Sequence, residues 1–162
     1  MTRDMRRFKQ LLSSEETERI LRNGKYCVMA VAGDDDYPCA VPVNYVYDGT
    51  AIYIHSATQG HKIEALRHNP KCSLCIVDKD DVIPEEFTSY FRSVIAFGTA
   101  RFVESTDEEI AALRLLCDKY SPGINPEAEI ARFIRALCIV RIDIDSLTGK
   151  EAIELTRGRN RE

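Results

Sequence analysis

The dipeptide Asp48-Gly49 constrains this chain more than any other pair of residues. It separates a run ending at Tyr47 from the run Ala51 to His55, and an Asp-Gly pair between two such runs is the strongest short-range signal for a tight hairpin. The two runs are therefore expected to pair antiparallel. Alternation along the second run sends Tyr53 and His55 to one side and Ile52 and Ile54 to the other.

The same period of two recurs elsewhere. Lys25 to Ala32 and Pro38 to Tyr47 flank the turn cluster Gly33-Asp34-Asp35-Asp36, and Lys71 to Val77 is again strand-like. Arg92 to Val103 regains β-branched and aromatic content, with Gly98 as a bulge or point of close approach. Leu137 to Asp145 alternates cleanly. Helices intervene. Ser13 and Glu16 form a capping-box signal for a short N-terminal helix over 13–23, and helical patterns follow over Gly60 to Asn69, Thr106 to Tyr120 and Glu127 to Arg135. Residues 78–91 lack a clean period and read as a long loop, and 157–162 reads as a frayed tail. Six strands, mostly in hairpin order with helices between them, predict a mainly β fold: a six-stranded antiparallel barrel rather than a parallel doubly wound sheet.

With 162 residues, 44% hydrophobic and 30% charged, the chain can bury one core, and 1–162 is expected to be a single domain. Its net charge of -4 offers no general attraction to nucleic-acid phosphates. The longest apolar run, Cys27 to Ala32, is far short of the roughly 20 residues that cross a bilayer. Met1 to Leu12 shows no apolar stretch behind its basic residues, so a cytoplasmic location is expected. The six cysteines lie mostly in apolar runs, where a free thiol acts as a small hydrophobe. Cys72-Ser-Leu-Cys75 has CxxC spacing, but residues three apart on a strand point to opposite faces and no second pair follows, so no metal is expected. Neither a nucleophile-elbow motif nor a phosphate-binding glycine loop of the Rossmann or Walker type is present.

The segment Ile52 to Lys62 carries the most chemistry. A strand runs out, the hydroxyls of Ser56 and Thr58 follow, Gly60 permits close backbone approach, and Lys62 lies in the first turn of a helix, where free N–H groups and the dipole favour an anion. The alternative is a helix start with a solvated Lys62 and an exposed His61. His55 at the strand end is either a packed histidine or a group aimed at a ligand.

Taken in order, Val41-Pro42-Val43-Asn44-Tyr45-Val46-Tyr47-Asp48, Ile52-Tyr53-Ile54-His55-Ser56, Gly60-His61-Lys62, Asn69-Pro70 and Arg92-Ser93-Val94-Ile95-Ala96-Phe97-Gly98 resemble one family. It is the pyridoxamine-phosphate-oxidase-like FMN-binding split barrels, and within it the nitroimidazole-resistance branch. The resemblance spans roughly residues 5 to 155. It implies FMN as cofactor, with the ring edged by Val41, Pro42, Val43 and Asn44. It places the phosphate and ribityl contacts at His55, Ser56, Ala57, Gly60, His61, Lys62, Arg92 and Ser93. It also implies a homodimer with flavin at the subunit interface. Phe87, Tyr90 and Phe91, just before Arg92 and Ser93, either cover the partner's site or fill the chain's own core.

The resemblance makes His55 the candidate catalytic residue of an FMN-dependent oxidoreductase acting on a small acceptor such as a nitroaromatic. Alternatives are a non-catalytic flavin-binding or haem-binding protein with His55 as axial ligand. Vitamin B6 phosphate oxidation is the weaker reading, because the family's strand-opening Arg is not evident near Cys39 or Val41, Ser93 stands in place of Gln, and the C-terminal Arg and His motif is missing.

Overall fold

The computed structural model describes residues 5–159. Helix α1, Ser14–Asn23, begins where the capping signal lies: Ser13 Oγ accepts the Glu16 N–H at 3.1 Å. It buries Thr17, Ile20 and Leu21 and ends at Gly24. This glycine is not left-handed. Its hydrogen is needed for space, since a Cβ would lie 2.5 Å from Tyr45 Oη and 2.6 Å from Ile76 Cγ2.

The strands are β1 Cys27–Ala32, β2 Pro38–Val43, β3 Val46–Tyr47, β4 Ala51–Ala57, β5 Lys71–Ile83, β6 Thr88–Phe102 and β7 Leu137–Glu151. All pairings are antiparallel, and the sheet order is β2-β1-β5-β6-β7-β4-β3. The expected six strands are thus corrected to seven, in one sheet whose edges β2 and β3 do not pair with each other, as in a split barrel. The extra strand comes from division of the run Pro38 to Tyr47. Its first half pairs with β1 and its second half with β4, so one short segment supplies both edges of the sheet. Asn44 and Tyr45 cross the seam outside either ladder. The Asp48-Gly49 turn forms as expected: Asp48 Oδ1 accepts the N–H groups of Thr50 and Ala51, and Gly49 has φ +107.

Two further expectations change. Residues 78–91 are not a loop. β5 and β6 continue as a projecting hairpin closed by one 3-10 turn at Pro84–Glu86 and a left-handed Phe87, φ 52. Polar residues can occupy both faces of such an arm because water bathes each side. Residues 157–159 belong to helix α5, Ile153–Arg159, held where Arg159 pairs with Glu151; 160–162 lie outside the described residues.

The barrel interior is filled by Met29, Tyr45, Ile52, Ile54, Leu74, Ile76, Val94 and Ile142, with Ile20 and Leu21 from α1 closing it. Gly98 sits at a register shift in β6, and a Cβ there would meet Ile142 Cγ2 at 2.5 Å and the Asp143 carbonyl at 2.7 Å. A second apolar cluster lies outside the sheet. Helices α3, Thr106–Tyr120, and α4, Glu127–Phe133, lay Leu113, Leu116 and Ile130 over Tyr53, Val103 and Ile139. They cover the exterior near β4 and β7. Among the described residues the exterior of β2, β1, β5 and β6 carries no helix of this kind, and there Val77, Ile95 and Phe97 are exposed. No helix among the described residues is long and apolar enough to cross a membrane.

Candidate functional site

Ile52 and Ile54 point into the barrel, so strand alternation directs Tyr53 and His55 outward, toward α3 and α4. Tyr53 is consumed in packing. His55, two residues on, stands beyond the packed cluster and lines a cavity of about 680 Å³ between the end of β4 and the two helices. Ser56, Gln59 and Lys62 form its polar side, and Ala57, Leu113, Cys117, Ile130, Phe133 and Leu137 its apolar side, with Glu129 at the rim. The pattern suits a flat, largely apolar molecule with an anionic end.

The polar side is shaped by Gly60, whose φ of +122 is open to glycine and strained for other residues. From it springs α2, His61–His68, with Ile63, Ala65 and Leu66 buried against the barrel and Lys62 turned to the cavity. His55 is held mainly neutral at physiological pH. His55 is exposed at the cavity mouth, and its partial desolvation there lowers its pKa first, with the nearby Lys62 ammonium lowering it further. A neutral imidazole offers one N–H donor and one lone pair, so it can donate a hydrogen bond but is a weak proton source. The Cys117 thiol stays protonated, its pKa raised by burial and then by Asp118 and Glu129.

Of the residues singled out from sequence, His55, Ser56, Ala57 and Lys62 converge here. Gly60 shapes the turn without lining the cavity. His61 points away, its Nε2 3.5 Å from Asp34 Oδ2. On β2, Val43 is buried, Val41 packs against the core and Pro42 is exposed, as is Asn44 just beyond the strand, and none of the four lines the cavity. Ser93 lies beside Val77 on the bare sheet face. Arg92 shares the inward face of Val94 and Ala96, where it meets Glu16 at 3.3 Å, Asp78 at 3.5 Å and Glu151 at 3.4 Å. Cys72 is buried, with Sγ 3.7 Å from the Gly98 carbonyl, while Cys75 faces the opposite side. The helical wall of Leu113, Cys117, Ile130 and Phe133 was not anticipated. The amphipathic spacing of the helices was visible, but not the strand they cover.

The model of the family described as pyridoxamine 5'-phosphate oxidase matches residues 13–151. The chain belongs to this family. Solved structures share its fold. A candidate 5-nitroimidazole antibiotic resistance protein from Bacteroides thetaiotaomicron is 22% identical over 87% of this chain and 86% of that one, with a TM-score of 0.73. A flavocytochrome from Azotobacter vinelandii is 22% identical over 93% of this chain and 73% of that one, TM-score 0.77. An FAD and haem binding protein from Mycobacterium smegmatis is 23% identical over 89% of this chain and 73% of that one, TM-score 0.75. No curated protein matches the sequence. The resemblance read from the residue order is therefore that of a pyridoxamine 5'-phosphate oxidase family member.

Proposed function

We propose that this family member is a flavoprotein that binds FMN in the His55 cavity and acts as an oxidoreductase on a small acceptor such as a nitroaromatic. The observation that carries the reading is the convergence of Ser56, the turn at Gly60 and Lys62 at one side of a cavity whose other wall is apolar. Those groups fit FMN: a hydroxyl and an ammonium for the phosphate, and Leu113, Ile130 and Phe133 for a planar ring. FMN when bound supplies hydride and one-electron chemistry. Lys62 neutralises the phosphate, the helical wall excludes water, and His55 donates one hydrogen bond to the ring or to an acceptor lying on it.

A second copy of the chain completes the site in this reading. Val77, Ile95 and Phe97 are exposed on the bare sheet face, and Phe87 is 98% exposed at the tip of the projecting hairpin. In this reading the partner copy covers the apolar groups of that face. The fold neighbours that bind FAD and haem are in keeping with a redox cofactor, and a neutral His55 is also the form that ligates iron.

Incubating the purified protein with FMN, desalting it and recording the absorption spectrum tests the proposal. Retained flavin bands are the expected result. No retention at micromolar FMN, with a Soret band after haem addition, replaces the flavin reading with the haem one. Steady-state reduction of a nitroimidazole by NADH or NADPH then separates an oxidoreductase from a flavin-binding protein without turnover.

A further inference from the structure

We propose that Tyr120 and Lys119 are positioning residues at the C-terminal end of α3: Tyr120 fastens that end to the barrel seam at Tyr45, Lys119 sets how tightly it docks there, and together they set the helical wall of the His55 cavity. The inference concerns the wall and holds whatever molecule the cavity takes.

Tyr45 crosses between the two sheet edges, so its backbone groups have no ladder partner. Tyr120 supplies one from 75 residues away: its hydroxyl accepts the Tyr45 N–H at 2.9 Å and lies 2.8 Å from both the Tyr45 and Lys25 carbonyls, to one of which it donates. Lys119 Nζ donates to the same Tyr45 carbonyl at 2.9 Å and sits 3.9 Å from the centre of the Tyr45 ring. That ring is itself fixed from below, because Tyr45 Oη donates to the Leu21 carbonyl at 2.6 Å. The other end of α3 has a separate anchor, where Glu108 accepts from Arg101 at 2.7 Å and from the Tyr53 hydroxyl at 3.2 Å. Between the anchors, Leu113 and Cys117 face the cavity. A helix held at both ends over a ligand cavity keeps its wall in register. Release of the seam end lets that wall swing about Glu108.

The seam anchor has a built-in pH dependence. The titratable groups around Lys119 are Cys27 from β1, Tyr45 from the seam and Tyr120 from α3 itself, and no carboxylate is among the groups acting on it. All three stay neutral near pH 8. Burial pushes Cys27 up to about 12, and burial likewise raises Tyr45 and Tyr120. Burial outweighs the one opposing influence, that of Cys27, and the Lys119 ammonium is drawn down to about 8. The released helix end binds the proton more tightly than the docked one. Docking is therefore at its weakest at neutral pH and strengthens as pH rises from about 8 toward the ordinary lysine value.

Hydrogen exchange and imidazole NMR on the ligand-free protein test this, and neither requires a flavin. Protection of the α3 amides near Leu116 to Tyr120, corrected for intrinsic exchange, should rise about tenfold between pH 7 and pH 9, and Lys119→Met should abolish the rise. Tyr120→Phe should lower the same protection by roughly tenfold, leave β5 and β6 unchanged, and move the His55 titration up toward an ordinary histidine as the wall withdraws. A pH-dependent rise retained in Lys119→Met overturns the proposal, as does an unshifted His55 titration in Tyr120→Phe. Should the Tyr120 variant not fold, the Lys119 comparison decides alone. Failure of FMN to bind leaves both measurements intact.

Discussion

The guanidinium of Arg92 lies 3.4 Å from the carboxylate of Glu151, a side chain with no solvent exposure. Arg159 is its second cation, yet neither arginine is aligned to hydrogen-bond the Glu151 oxygens. Removing Arg92 leaves the buried Glu151 with Arg159 alone and takes a cation from Glu16 and Asp78. Arg92→Met should therefore destabilise the fold by about 1–3 kcal/mol. Its flavin affinity, measured on the folded fraction, should match the wild type. Thermal melting and FMN titration check this, and lost affinity without lost stability would return Arg92 to the binding site.

That position shows how much the sequence could reveal. Arg92, Val94 and Ala96 alternate on one face, so the strand period alone could have placed Arg92 inward, while the resemblance reads it as a flavin contact. Local chemistry was legible: the Ser13 cap, the Asp48-Gly49 turn, the close approach at Gly98 and the outward direction of His55. The split of Pro38 to Tyr47 was not, because its apolar pattern is continuous and the break arises only when both sheet edges need a strand. The partner of the seam, Tyr120, is 75 residues distant and sends no local signal. The hairpin arm was missed for a different reason, since a two-stranded ribbon in water needs no apolar face.

Gly98→Ala tests the barrel bend. With a Cβ directed at Ile142 and the Asp143 carbonyl, the strands must separate, at about 1–3 kcal/mol. Urea unfolding should show a lower midpoint with an unchanged slope.

His55 makes the fold sensitive to acid. Its folded pKa is lowered, so the unfolded chain binds the proton more readily, and stability is lost as pH falls from about 6.5 toward the folded value. His55→Gln should flatten the decline in melting temperature between pH 7 and pH 5. Because His55 donates one hydrogen bond to the ring or the acceptor in the flavoprotein reading, His55→Ala should leave FMN affinity nearly unchanged and lower turnover per bound flavin by roughly tenfold.

Lys62→Ala should weaken FMN binding by roughly tenfold or more, since a charge-assisted phosphate contact contributes about 1.5–3 kcal/mol. Riboflavin, which lacks the phosphate, should bind the wild type and the variant alike. Fluorescence-quenching titrations with both ligands make the comparison, and an equal loss for riboflavin would place Lys62 against some other part of the flavin.

The central claim, that the cavity beside His55 holds the flavin, is tested most directly by following the three histidine rings by NMR during titration with FMN. The account predicts that the His55 resonances shift saturably while those of His68, exposed at the far end of α2, stay in place. Binding that leaves His55 unmoved, or no binding at micromolar FMN, would contradict it.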